Sequence, residues 1–588
     1  MTISSVVRTD TRQTEYTFGN FQMLADGTLL HGEEIIHLPP KELTALRFLL
    51  NHAGEVVTRV QLKRALWGDV NVTPDSVPRC LSSLRARLET EQSIQTVYKR
   101  GYRFVGPVRY VGAPIKSRSR LAIMPFAVGP HVALHLGPTI AEEVTACLTE
   151  KCPPSVLVLA RDSVFTLARR GLTAAQVGET LKADLVLTAT LFSLPTHYRL
   201  RAEMIRVEDG VQIWIEDLLV ANSRVAALQS ELIQQLLFRL GTHDSISLEA
   251  GAHALQSASS RPEAYELFLR GRYEWQSCER HRMQDGMQHL IRATELDTTL
   301  LSAHVDLANV CVGQELYGFL SPEVAAKEIR RIAACIPDVA CNAPKFLPTM
   351  GWYSFHVDRD MAAALEMFSL STHLPHDPWT TRLRVMFAVS RHRFDEALEW
   401  LRAALAVDPY APWLHARLAW THHLAGDAQK SVEQIEKSLN LFPDHESNRL
   451  YGSVILAYNG YAARAAELAE ELARRTPYFD IATAVRAYAL ARDEHRDEAH
   501  SLLERLQWLS RGRFVLSSFT AAAYAELGDE QGAIDELLAA DRTRCPWFFQ
   551  TLADPRLKSL RGHSQFKKML AALNEMEASV ANSLECLF

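Results

Sequence analysis

The C-terminal half of the chain has a 34-residue period, which limits its possible folds more than any other sequence feature. Four prolines and five small residues keep this spacing: Pro375, Pro409, Pro443 and Pro477, and Ala397, Ser431, Ala465, Ala499 and Ala533. A repeat this short cannot bury its own apolar face, so neighbouring units must stack into one continuous core. Small residues suit the crossing of two helices, and proline suits the turn after the second. We therefore predict five antiparallel helix pairs over about residues 378–545.

The repeat resembles the tetratricopeptide family, whose units stack into an all-α solenoid with a groove lined by the first helices. The phase is looser outside the central window, but about eight units fit between residues 262 and 577. We assign the array to residues 260–577. The groove is expected to bind a peptide or partner protein through side chains near Trp413, Arg417, Trp420, Arg449 and Arg486. The alternative for each of these side chains is packing between repeats.

Near the N-terminus, residues 73–104 have the pattern of an amphipathic helix followed by a basic hairpin. An apolar stripe recurs at helical spacing, formed by Val77, Leu81, Leu84 and Leu88. Small polar residues and arginines occupy the opposite face, and the hairpin carries a glycine at its bend. Such a helix can lie in the major groove of DNA while the hairpin reaches phosphates. The alternative for the helix is a surface helix with a solvated charged face.

The expected DNA contacts follow from side-chain chemistry. Arginine pairs bidentately with guanine and short side chains allow close approach, which selects Ser76, Arg79, Cys80 and Ser83 as base-reading residues. Phosphate contacts are expected from seven basic residues: Arg59, Lys63, Arg64, Arg87, Lys99, Arg100 and Arg103. Thr58 is expected to cap the preceding helix and Thr73 the base-reading helix. Pro78 would then fall near the first intrahelical bond, which predicts a late start or a kink.

The charge of the chain is divided unevenly. The formal net charge is −6, yet residues 56–110 contain ten Lys or Arg and only four Asp or Glu. This segment therefore carries +6 and the remainder carries −12. A basic head on an acidic body is typical of a DNA-binding protein whose other parts do not bind DNA.

The segments LPPKEL, GEVVTRVQLKRALWGD, SVPRCLSSLRARL and RGYRF resemble, in order and spacing, the OmpR/PhoB-type DNA-binding domain of HilA/CadC-like regulators. The resemblance covers about residues 16–107, and we assign the domain to residues 1–112. It implies a strand platform over residues 16–37, three helices and a wing that bind double-stranded promoter DNA. It also implies that the loop 67–72 contacts RNA polymerase. About 15 residues precede the domain, so no phosphoacceptor receiver is expected there.

The same resemblance implies a transcriptional activator, with virulence or type III secretion genes as the regulon class and a possible homodimer on DNA. A basic linker follows at residues 113–120. Residues 121–247 mix strands and helices, which predicts a small α/β sandwich. Their pattern resembles the TolB-N-terminal-like domain. Arg161, Asp162 and Ser163 follow a strand end, where α/β folds often bind small molecules; a plain turn is the alternative.

The predicted fold class is thus multidomain: a winged helix-turn-helix, a small α/β sandwich and an all-α solenoid. No phosphate-binding loop, zinc-protease, serine-hydrolase or kinase motif is present, so neither an enzyme nor a cofactor is expected. The nine scattered cysteines form no CxxC pair, and no apolar run is long enough to span a bilayer. A cytoplasmic protein without membrane contact is expected. Two other functions remain open, a tetratricopeptide chaperone or scaffold and a small-molecule sensor acting through the middle domain.

Overall fold

The computed structural model describes residues 14–585 apart from 25–27, 33, 52, 55, 68–72, 74, 89–92, 98–99, 107, 111–118, 154, 223–224, 241–260, 277–279, 337–343 and 372–376. Two compact units are present. The first comprises residues 1–119 with 153–155 and 238–242, and the second comprises the remainder. The predicted basic linker and the loop after Trp67 lie outside the described residues.

The first unit contains a strand platform, three helices and a wing, as predicted. Its platform has the strand order β4-β3-β2-β1-β7. The strands are β1 (Thr14–Phe18), β2 (Phe21–Leu24), β3 (Leu29–His31), β4 (Glu34–Ile36) and β7 (Val108–Tyr110). The helices are α1 (Pro40–Asn51), α2 (Arg59–Trp67) and α3 (Ser76–Arg87). The wing pairs β5 (Ile94–Val97) with β6 (Gly101–Phe104) in antiparallel register.

Helix α3 packs through the predicted apolar stripe. Val77, Leu81, Leu84 and Leu88 are all buried in one core with residues of α1, the platform and the wing. This confirms the helical spacing, and it fixes which face of α3 remains available to solvent.

The predicted N-terminal caps of α2 and α3 have different outcomes in the structure. Thr58 caps α2 as predicted, because the Gln61 N–H donates to its hydroxyl at 3.2 Å while the Gln61 side chain accepts from the Thr58 N–H. Helix α3 instead has Asp75 as its cap, and not Thr73. Pro78 is therefore the third helical residue, where no intrahelical N–H bond is required. The expected late start is therefore confirmed: α3 begins at Ser76, later than a Thr73 cap would place it, and Pro78 then requires no kink.

The second unit begins with a mixed sheet of strand order β10-β8-β11-β12-β13, with β9 beside β11. Strand β8 is parallel to β11, and β11, β12 and β13 form an antiparallel meander. The strands are β8 (Ser119–Ile123), β9 (Ala127–Val128), β10 (Val156–Val158), β11 (Leu185–Ser193), β12 (His197–Arg206) and β13 (Gln212–Ala221). The accompanying helices are α4 (Leu136–Lys151), α5 (Arg161–Arg169), α6 (Ala174–Leu181) and α7 (Val225–Arg239).

The repeat array follows as antiparallel helix pairs. Three pairs precede the strict period: α8 (Pro262–Trp275) with α9 (Arg280–Leu296), α10 (Leu301–Leu316) with α11 (Pro322–Cys335), and α12 (Leu347–His356) with α13 (Met361–Leu370). The five predicted pairs are α14 (Pro378–Ser390) with α15 (Phe394–Val407), α16 (Pro412–Leu424) with α17 (Ala428–Leu441), α18 (Glu446–Tyr458) with α19 (Ala462–Arg475), α20 (Asp480–Arg492) with α21 (Arg496–Ser510), and α22 (Ser517–Glu526) with α23 (Glu530–Arg542). The periodic small residues are all fully buried, which confirms their place at helix crossings.

Helix α5, which the sequence did not predict, contacts the repeat array through its first turn. The backbone N–H of Ser163 donates to the Asp408 carboxylate at 2.9 Å, and the Ser163 hydroxyl accepts from the Tyr410 N–H at 2.8 Å. The Trp413 indole N–H donates to Asp162 at 3.2 Å. The prediction that residues 161–163 form a plain turn is therefore wrong. Asp162 and Ser163 therefore bind the array. Trp413, one of the predicted groove residues, is half-buried and its indole N–H is already hydrogen-bonded to Asp162.

The chain ends in a short helix α24 (Phe548–Thr551), a 3-10 segment (Pro555–Gly562) and a long helix α25 (Ser564–Glu585). This part covers Arg417 and Trp420, two of the predicted groove residues, which are both buried. Two other predicted groove residues are paired within the array, Arg449 with Asp444 and Arg486 with Glu498. Within the described residues, we find no helix with the length and apolarity required to cross a membrane.

Candidate DNA-binding surface

The outward face of α3 is formed by small polar side chains around one arginine. Arg79 and Ser82 are exposed, and Ser76 and Ser83 are half-buried beside them. The Arg79 side chain makes no hydrogen bond or ion pair with any residue that the structure describes. Ser82 was not predicted, although it lies opposite the apolar stripe and its helical position would have identified it. We call Ser76, Arg79, Ser82 and Ser83 the α3 ridge.

Cys80 does not belong to this outward face. Its side chain packs partly buried against the domain core. Burial, together with the nearby Glu42 carboxylate, raises the pKa of the Cys80 thiol to about 11. The thiol therefore stays protonated and acts as a small packing group facing α1, which makes it a poor candidate for reading base edges.

Arg87 is exposed but is paired with groups of its own domain. Its guanidinium pairs with Glu42 at 3.1 Å and donates to the carbonyl of His37 at 3.0 Å. Two of its donors are thus used within the domain, and the phosphate contact of Arg87 stays a prediction. The side chain fastens the end of α3 to the start of α1.

A second arginine connects α3 to the wing. Arg85 donates from Nε to the Ile94 carbonyl at 2.8 Å and from Nη2 to the Thr96 hydroxyl at 2.9 Å. Its guanidinium also lies 5.8 Å from the centre of the Tyr102 ring. No role was predicted for Arg85, because nothing in the local sequence shows which of several arginines reaches back to a strand. The contact sets the position of the wing relative to the α3 ridge.

Backbone contacts at Gly101 attach the wing to the rest of the domain. Val57 and Tyr102 exchange two backbone hydrogen bonds of 2.7 and 2.8 Å, and the Gly54 N–H donates to the Phe104 carbonyl at 2.9 Å. Gly101 has a φ of +147°, and a Cβ placed there would overlap the carbonyl oxygen of Val57. Only glycine permits this close approach.

The remaining residues predicted to contact phosphates differ in their exposure to solvent. Arg59 on α2 and Arg100 at the wing turn are exposed, whereas Lys63 and Arg103 are half-buried. Lys99 lies outside the described residues, as does the side chain of Arg64. The exposed cations therefore lie on α2 and at the wing turn, before and after α3 in sequence, and their phosphate contacts stay predictions.

Comparison with known proteins agrees with this geometry. Residues 32–104 match the family described as "Transcriptional regulatory protein, C terminal". This match agrees with the resemblance of the N-terminal domain to the OmpR/PhoB type. The family match covers the platform edge, the three helices and the wing, which include the α3 ridge.

Three known proteins are similar to parts of this chain. The transcriptional regulator HilA of Salmonella typhimurium is 24% identical over 344 residues, which are 57% of this chain and 60% of HilA. The DNA-binding domain of E. coli CadC is 27% identical over 17% of this chain and 99% of that domain, with a TM-score of 0.16. The Klebsiella pneumoniae RstA DNA-binding domain, solved in complex with the RstA box, is 27% identical over 15% of this chain and 94% of its own length, with a TM-score of 0.14.

Proposed function

We propose that this protein is a sequence-specific DNA-binding transcriptional regulator. The observation that carries the proposal is the α3 ridge, an exposed arginine among short hydroxyl side chains on a winged helix of the OmpR/PhoB type. In this proposal Arg79, Ser76, Ser82 and Ser83 face base edges in the major groove. Arg59, Lys63, Arg64, Lys99, Arg100 and Arg103 hold phosphates.

Several finer features extend this proposal. We assign it the role of an activator, with virulence or type III secretion genes as the regulon class, because its sequence resembles HilA/CadC-like regulators. Promoter binding would place the protein in the cytoplasm, and the loop 67–72 would contact RNA polymerase. The repeat array would bind a protein partner and transmit its presence to the DNA-binding domain. A homodimer would occupy two half-sites. A promoter–reporter assay with and without the gene tests the sign of regulation directly.

Substitution of Arg79 tests the base-reading role. We expect Arg79→Ala to weaken binding to the preferred duplex by about 1–3 kcal/mol, because a bidentate arginine–guanine pair would be lost. Duplexes selected from a random pool by the wild-type protein and by the variant should differ at one position of the site. The measurement is selection followed by titration in gel retardation at one fixed salt concentration.

Two controls make this result specific. Arg474→Ala removes the same charge from an exposed site on the array and should leave DNA affinity unchanged. Lys99→Ala should weaken binding to all sequences alike, because a phosphate contact carries no base information. Identical selected sites for wild type and Arg79→Ala would contradict the role of Arg79.

Salt dependence separates DNA binding from the scaffold alternative. Duplex affinity should fall steeply as salt rises, because each neutralised phosphate releases counterions. A domain that binds a protein partner would show a shallow response and no duplex retardation at low salt. That outcome would favour a tetratricopeptide scaffold whose winged helix contacts protein.

A further inference from the structure

The inner face of the repeat array is covered by the chain's own residues 545–562, which we call the crossing segment. Its contacts reach from the second helix pair to the seventh. At one end the Trp547 indole N–H donates to the carbonyl of Leu316 in α10 at 3.0 Å. At the other, the Arg556 guanidinium lies 4.8 Å from the ring centre of Tyr488 in α20. The crossing segment thus occupies the face formed by the first helices of the pairs.

Aromatic side chains anchor the first part of the crossing segment. The Phe549 ring lies 5.0 Å from the ring of Phe355 in α12, and the guanidinium of Arg359 lies 4.0 Å from the Phe549 ring centre. The Phe549 carbonyl also lies 3.0 Å from His392 Nε2. Aromatic residues seated beside arginines are the usual anchors of a peptide in a protein interface.

Charged and polar side chains hold the second part. Asp554 and Arg556 pair at 2.7 Å with both side chains almost completely buried, and the Asp554 carboxylate lies 3.5 Å from His423 in α16. Burial raises the pKa of Asp554, but Arg556 and His423 outweigh this effect and hold it well below its usual range. Gln550 accepts from Arg417 of α16 at 3.1 Å. The contact between the second part of the crossing segment and the array is therefore more polar than the apolar core between typical repeats.

The crossing segment does not use all the hydrogen-bonding capacity of this face. Two buried nitrogen donors of the face find no acceptor among the described residues, Arg417 Nε and Trp420 Nε1, and two donors of the crossing segment, Gln550 Nε2 and Arg556 Nη1, also find none. A buried donor without a partner costs about 1–3 kcal/mol in a folded protein. A ligand that supplies further carbonyl or carboxylate oxygens could therefore compete with the crossing segment despite the advantage of its covalent tether.

We propose that the crossing segment is a tethered ligand that closes a peptide-binding face of the array. The displacing partner is a protein segment of the same chemistry, with an aromatic pair followed five residues later by Asp-x-Arg, as in Phe548-Phe549 and Asp554-Pro555-Arg556. The inference rests on the proposed role of the array as the partner-binding module. The tether gives the crossing segment a high effective concentration, so partner binding depends on how often the segment is released.

Peptide binding to the full-length chain tests this proposal. The probe is a fluorescein-labelled synthetic peptide with the sequence of residues 545–562, followed by anisotropy. Arg556→Gln weakens the crossing segment and leaves the face intact, so this variant should bind the peptide about ten-fold or more tightly than wild type. Lys558→Gln, an exposed position in the same segment, is the matched control and should behave as wild type. A peptide carrying the same Arg-to-Gln change should lose binding.

A second measurement uses the wild-type chain and does not depend on a folded variant. Amide hydrogen exchange should show the crossing segment opening at lower free energy than helices α16 to α20. Exchange of the crossing segment only through global unfolding would overturn the proposal, as would a folded Arg556→Gln variant that binds no peptide. Gel retardation on the same samples distinguishes a failure of this inference from a failure of the proposed function. A loss of peptide binding with intact DNA binding contradicts only this inference.

Discussion

Gly101→Ala is expected to detach the wing and abolish specific DNA binding. A Cβ at this position would overlap the Val57 carbonyl oxygen and lie 2.8–2.9 Å from two further backbone atoms. The Val57–Tyr102 bridge must then open, because backbone atoms cannot move aside as a flexible side chain can. Two backbone hydrogen bonds are worth about 0.5–1.5 kcal/mol each, and backbone strain adds about 1–3 kcal/mol. The total is a large part of the stability of a small domain.

Gly106→Ala is the matched control. Gly106 has a similar φ of +139°, but a Cβ there would meet no atom within 4 Å. This variant carries the backbone strain without the collision, so it should keep most DNA affinity. Gel retardation measures the affinity, and amide exchange at Val57 and Tyr102 reports the bridge. Equal behaviour of the two variants would show that strain, and not the approach to Val57, determines the need for glycine.

Local periodicity predicted much of this molecule correctly. The apolar stripe of α3 and the 34-residue spacing depend on contacts within one helix or between adjacent units, so they leave a regular trace in the sequence. The α3 ridge follows from the same spacing, because it is the face opposite the stripe. Ser82 could have been found in this way.

Contacts between distant parts of the chain could not be predicted from spacing. Arg85 and Arg87 sit two residues apart with similar neighbours, yet one binds the wing and the other binds α1. The crossing segment lies more than a hundred residues from Arg417 in sequence. Helix α5 is short, and its first turn is capped in part by Asp408, whose carboxylate comes from the repeat array. Tertiary contacts determine these features, and a single sequence does not display them.

Arg272→Ala is expected to destabilise the second unit by about 3–5 kcal/mol, the cost of removing one partner from a buried ionic cluster. Arg272 on α8 is largely buried and pairs with Glu143 of α4 and Asp306 of α10. Burial raises the pKa of Asp306 even though Arg272 opposes this effect. Without the guanidinium, two carboxylates would share a site with poor access to water, and their charge would favour the unfolded chain.

The neighbouring Arg270 provides a close control. Its side chain is half exposed and pairs with Glu274 one helical turn away, an arrangement worth at most about 0.5 kcal/mol. Denaturant unfolding of wild type, Arg270→Ala and Arg272→Ala should therefore separate a surface pair from a buried one on the same helix. If both variants unfold like wild type, apolar packing alone joins the α/β domain to the array.

The pH dependence of Arg272→Ala should identify the carboxylates as the cause. In the variant, the native-state pKa of Asp306, which burial already raises, lies above its unfolded value because the opposing guanidinium is gone. The native state then binds more protons than the unfolded chain, so its stability is greatest at low pH and is lost as pH rises through the raised value. The difference in stability between wild type and variant should accordingly be smaller at pH 5 than at pH 7.5. A constant difference would instead indicate lost packing against Phe268, whose ring centre lies 4.4 Å from the guanidinium.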